Sequence, residues 1–271
     1  MKREINTLGF LYLFALALLV LPSAVSPPLG TAVYFFALSV PILIGIFLVS
    51  KFRRKEALLS SFRVSCGDIL FSVPLIFPTV ALTTGISYIT ALVIGSLTGA
   101  ENTVTVGDNL PLAITAYALL PAVFEELLFR FLPLAFIGER SPRACVLVSA
   151  ISFSLVHHSF FSFPYAFFAG AVFMALDLAA NSVIPSVIFH FINNLFSVLW
   201  IFYSGSALFS QIYFGALLGL SLLSGGIIFA LRRKYGVWLS KALRRGEKCA
   251  PGIESLFFML PPILIAILEL C

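Results

Sequence analysis

Two adjacent glutamates, an arginine one helical turn further on, three histidines and a pair of asparagines carry the chemistry of this chain: Glu125, Glu126, Arg130, His157, His158, His190, Asn193 and Asn194. Glu126 and Arg130 are four residues apart, so on a helix they share a face and can neutralise one another. Glu125 projects about 100° away from Glu126 and is aimed at something else. His190 and Asn194 also share a face, while Asn193 lies on another. A carboxylate able to take a proton, two imidazoles and an amide donor suit a particular chemistry. It is general-base attack by water, with an oxyanion site to receive the developing charge.

The elements that must position these groups are membrane helices. The chain has 271 residues, of which 60% are hydrophobic and 11% charged. An ordinary soluble domain has about 45–50% and about 25%. A globule could not hide so much apolar surface, and a disordered chain needs the opposite composition. Apolar runs near 8–25, 31–50, 66–98, 110–137, 144–160, 164–180, 183–203 and 207–231 predict eight transmembrane helices. A ninth run, about 255–268, contains Pro261 and Pro262 and is long enough only for a short C-terminal membrane helix. The expected fold is all-α: a polytopic transmembrane helix bundle forming one integral membrane domain over 1–271, with its catalytic core at about 110–200.

Charge orders these spans. The run 66–98 holds Pro74, Pro78 and Gly85 and reads by itself as one kinked helix or two short ones. Taken as one, the loops alternate: 1–7, 51–65, 138–143 and 232–252 hold 16 of the 17 Lys and Arg residues. The positive-inside rule then predicts eight spans with a cytosolic N-terminus, the first serving as a signal anchor. Such a chain belongs in the cell membrane of a prokaryote or the endoplasmic reticulum of a eukaryote. The basic segment 232–248 is expected to anchor the topology and touch anionic lipid. Cys66, Cys145, Cys249 and Cys271 show no metal-ligand spacing and read as free thiols. The basic balance is explained by the membrane, with no nucleic acid partner.

The seventeenth basic residue is Arg130, inside the fourth span beside both glutamates, where charge is costly. Counted from the cytosolic ends at 1.5 Å per residue, Glu125 and His157 lie about 20 Å deep, Asn194 about 18 Å and His190 about 12 Å. The sequence holds no HExxH, no GxGD and no GxSG, so any hydrolytic chemistry rests on Glu and His. Asp177 and Asp68 read as exposed helix-end residues, and the 29 Phe as mostly lipid-facing bulk.

Three motifs now read together: Glu125-Glu126-x-x-x-Arg130, Phe153-x-x-x-His157 and His190-x-x-x-Asn194. In this order they resemble the CAAX protease and bacteriocin-processing family, which includes the type II CAAX prenyl endopeptidases. The resemblance covers about 110–200. It implies a glutamate-dependent intramembrane endopeptidase with a cavity open to the cytosol and no metal or other cofactor. It further implies Glu125 as general base, with His157 helping to hold the water and His190 and Asn194 stabilising the oxyanion. Glu126 and Arg130 would be supporting residues. The implied partner is a prenylated or other membrane-associated protein or peptide, reached from the lipid bilayer.

Other readings of the same residues stay open. Glu125, His157 and His190 could form a three-ligand zinc site in a membrane hydrolase. Intramembrane Glu, His and Arg also mark proton-coupled transporters. A non-catalytic scaffold or immunity protein on the same fold is a further alternative. His158 adjoins His157, and the FxxxH spacing favours His157 as the working imidazole.

Overall fold

The computed structural model describes residues 2–19, 27–52, 61–100, 104–138, 141–157 and 159–244. The expected run 255–268 and His158 lie outside the described residues. Among the described residues every regular element is helical: α1 (Lys2–Leu19), α2 (Pro27–Phe52), α3 (Cys66–Thr98), α4 (Leu110–Gly138), α5 (Pro142–Leu155), α6 (Phe163–Ala180), α7 (Ile184–Tyr203), α8 (Ala207–Ala230) and α9 (Arg232–Arg244). Six of them, α2, α3, α4, α6, α7 and α8, are long and apolar enough to cross a membrane. The protein is a polytopic membrane helix bundle.

Local chemistry sets where these helices begin and end. Ser65 caps α3 by accepting the Asp68 N–H, and Asn109 and Ser206 cap α4 and α8 in the same way. Gly99 stops α3 in a left-handed conformation at φ 70° and returns its N–H to Gly95. α3 runs unbroken through Pro74 and Pro78 for 33 residues, the single element that the loop charges require.

The fifth expected span ends early. α5 has 14 residues, about 21 Å of rise against an apolar bilayer core of about 30 Å. His157 therefore lies in a turn just past the helix, not within a span as the apolar run 144–160 suggests. The cause is local: His157 Nδ1 bonds the Phe153 carbonyl at 2.8 Å, and its backbone N–H goes to Ser154 rather than Phe153. Irregular backbone at this depth is tolerated where protein surrounds it, and α6 packs along α5. That packing is close: a Cβ at Gly170 would stand 2.9 Å from Ala150 Cα.

The core lies between α4, α5, α6 and α7, with α1 and α2 against one side. α3 and α8 pack together and turn Leu82, Ile89, Leu92, Leu218, Leu222 and Phe229 outward, as lipid-facing helices do. One end of the bundle is tied by polar contacts. Val183 N–H reaches the Ser61 carbonyl at 2.9 Å, and Trp238 Nε1 donates to Asp68 Oδ1 at 2.7 Å. Asp68 is thus half-buried and partnered, because α9 lays Tyr235 and Trp238 over Phe71. Cys66 and Cys145 are free thiols.

Candidate active site

α4 carries both glutamates and Arg130 on an unusual helix. Its turns are π-helical over Thr115–Leu119, Leu127–Phe131 and Leu134–Gly138. Pro121 and Pro133 have no N–H to give to the helical ladder, and the wide turns lie next to them. The α-helical stretch Leu120–Glu126 between them presents the two carboxyls.

Glu126 is fully buried and doubly engaged. Arg130 Nη1 lies 3.1 Å from its Oε1, and His190 Nδ1 lies 2.6 Å from the same oxygen. A carboxylate oxygen only accepts, so Nδ1 of His190 carries the hydrogen of that bond. The intrahelical pair expected from the i, i+4 spacing is therefore a three-residue junction joining α4 to α7. Arg130 is itself sandwiched, 3.9 Å from the Phe153 ring centroid and 5.2 Å from that of Phe173. These phenylalanines face the interior, as do Phe129, Phe131, Phe136 and Phe189, while Phe10, Phe36, Phe47, Phe214 and Phe229 are exposed.

Glu125 is buried one position away and points elsewhere. Tyr34 of α2 donates to its Oε1 at 2.6 Å. Its Oε2 lies 3.9 Å from His190 Nε2 and has no hydrogen-bond partner among the described residues. The sequence leaves Glu125 unpaired, and the structure supplies Tyr34. No spacing rule could have found it, since the two residues are 91 positions apart.

His157 approaches through Phe153, whose ring lies 4.9 Å from the His157 ring and 5.5 Å from the His190 ring. Because the Phe153 carbonyl can only accept, Nδ1 of His157 carries a hydrogen, and in the neutral ring Nε2 keeps its lone pair. Phe153 thus touches Arg130, His157 and His190 together. Asn194 is reached from another direction: Thr83 of α3 donates to Asn193 Oδ1 at 3.0 Å, and Asn193 Nδ2 donates to Asn194 Oδ1 at 3.4 Å. With its oxygen so used, Asn194 has its Nδ2 hydrogens to offer.

Asp177 overturns the expectation of an exposed helix end. It is fully buried, and its Oδ1 accepts the Ser186 N–H at 3.0 Å. The chain folds back after α6 through Asn181, a left-handed residue at φ 55°. The last turn of α6 therefore caps the first turn of α7. Ser186 stands one turn before His190, so Asp177 fixes the helix that carries the imidazole. Among the described residues no group of three or more His, Cys, Asp and Glu side chains is arranged to hold a metal ion. The three-ligand set of Glu125, His157 and His190 is thus not assembled in that geometry.

Residues 107–196 match the family model described as Type II CAAX prenyl endopeptidase Rce1-like. Comparison with curated proteins and with solved structures gives no match. The matched segment runs from just before α4 to just past Asn194. It contains all three motifs and leaves α1, α2, α3, α8 and α9 outside.

Proposed function

We propose that this chain is an intramembrane protease with a glutamate-dependent mechanism, a reading supported by the match of residues 107–196 to the Rce1-like family model. The substrate proposed is the C-terminal peptide of a prenylated or other membrane-associated protein. The observation that carries the mechanism is the division between the two glutamates. Glu126 meets a guanidinium and an imidazole, Arg130 and His190, at its Oε1, whereas Glu125 meets only the neutral phenol of Tyr34 at Oε1 and turns Oε2 toward His190 Nε2 at 3.9 Å.

In this reading Glu125 Oε2 takes a proton from water, and the water oxygen attacks the scissile carbonyl carbon. His157, with its lone pair on Nε2, accepts a hydrogen bond from the water's other O–H, which stays intact, and so orients the water. The carbonyl oxygen becomes an oxyanion. With Nδ1 of His190 given to Glu126, only its Nε2 can face substrate. Protonated there, it donates to the oxyanion together with Asn194 Nδ2. Collapse breaks the C–N bond, and Glu125 returns the proton to the departing amine. Glu126 and Arg130 hold His190 and touch no reacting atom. The apolar flanks of α3 and α8 suit a substrate that arrives through the bilayer. In this reading the N-terminus and the site opening lie on the cytosolic side, as the positive-inside rule and the basic loops favour.

The test is cleavage of a prenylated reporter peptide by the purified chain, with Glu125→Gln beside it. Turnover by the wild type and none by a folded Glu125→Gln protein supports the mechanism. Cleavage retained in Glu125→Gln overturns it.

A further inference from the structure

Glu125 is held from outside the matched segment. Tyr34 lies on α2, and its phenol donates to Glu125 Oε1 at 2.6 Å. The proton of that bond belongs to Tyr34, since a carboxylate has only lone pairs to offer. The distance is in the range of about 2.5–2.7 Å found for charge-assisted O–H···O bonds. The contact is braced on one side by rings: Tyr34 against Phe35 at 5.3 Å, and Phe35 against Phe124 at 5.3 Å, next to Glu125 in the chain. Arg130, the buried cation nearby, is spent on Glu126.

The two oxygens of Glu125 are thereby made unlike. Oε1 receives the phenol, while Oε2 faces His190 Nε2 at 3.9 Å. Without Tyr34 the carboxyl could rotate and exchange its oxygens. We infer that Tyr34 is a positioning residue for the proposed general base, selecting Oε2 as the oxygen that takes the proton from water. The inference rests on the role given to Glu125 above. It also gives α2 a part in the chemistry.

Misplacing a reacting group by about 1 Å costs about 100-fold in rate, so Tyr34→Phe lowers kcat by about 10- to 100-fold. KM stays within about twofold, because the phenol touches Glu125 and not the substrate. The experiment uses the full chain in lipid nanodiscs and the prenylated reporter peptide. It compares wild type, Tyr34→Phe, Phe35→Leu and Glu125→Gln, with thermal unfolding of each. Phe35→Leu removes a packing ring but keeps the hydroxyl. A fall in kcat confined to Tyr34→Phe, with unfolding near that of wild type, supports the inference. An inactive Glu125→Gln beside an unimpaired Tyr34→Phe overturns it and leaves the general base standing. Equal losses of kcat and stability in Tyr34→Phe and Phe35→Leu also overturn it, reducing Tyr34 to packing. An active Glu125→Gln is a different result and removes the general base itself. If Tyr34→Phe does not fold, 3-fluorotyrosine at position 34 keeps the shape and changes the acidity of the donor. A moved pH–rate profile then supports the inference, and an unmoved one overturns it.

Discussion

Glu125 and Glu126 are neighbours in the chain and end in unlike places. Around Glu126 the polar partners close on one another: Arg130 and His190 meet at one oxygen, and Phe153 and Phe173 cover the guanidinium. Around Glu125 a single phenol is bound, and one oxygen remains toward the imidazole. In the proposed mechanism the same side chain serves as a fastener on one face of α4 and as a reagent on the next. What differs is the charge of the partners: a guanidinium and an imidazole meet Glu126, and a neutral phenol meets Glu125. A carboxylate bound to a cation is held more strongly than one bound to a neutral donor.

The contrast breaks most directly at Glu125. Glu125→Gln is expected to lower kcat by about 100- to 10,000-fold while the unfolding temperature stays close to wild type, measured by peptide cleavage and thermal scan. If this variant unfolds instead, Glu125 is a fastener too. Arg130→Met is the mirror experiment. It strands Glu126 in the core and is expected to cost about 3–5 kcal/mol of stability, seen as a large fall in unfolding temperature. An Arg130→Met protein as stable as wild type would abolish the distinction from the other side.

Two smaller effects sharpen it. Asp177→Ala removes the acceptor that caps α7 and is expected to cost about 1–2 kcal/mol, whereas Asp177→Asn retains an oxygen and loses less. Denaturation of the pair in one detergent checks the order. Trp238→Phe removes the bond to Asp68 at the end of the bundle, where the indole contacts Phe71 and Tyr235. It is expected to cost about 1 kcal/mol and to leave kcat unchanged, by the same two assays.

Six of the eight expected spans are helices long and apolar enough to cross a membrane, while the first and fifth are shorter apolar helices, because apolar length is a local quantity and the point where a helix stops is not. Cys66–Thr98 is one helix although its prolines invite a break, and the charge alternation already required that. The i, i+4 pairing of Glu126 with Arg130 was legible for the same reason. The early stop of α5 was not, since it comes from the His157 ring bonding back to the Phe153 carbonyl, a side-chain event inside an apolar run. Nor was the burial of Asp177, which depends on how the turn at Asn181 folds α6 onto α7. Tyr34, Thr83 and Phe173 reach the site across 91, 110 and about 40 positions or contact it through rings alone. A pattern read along the chain does not see such contacts.

The bond from Trp238 to Asp68 joins residues 170 positions apart. A ribosome adding about 5–20 residues per second delivers α3 roughly 8–35 s before α9. Throughout that interval the start of α3 lacks the indole that completes it, and Phe71 lacks its cover. The bundle therefore acquires this clasp only after every membrane helix described here has been made. Completion of this end is a matter of timing as well as of contact, since α9 can close over α3 only once synthesis has passed Trp238.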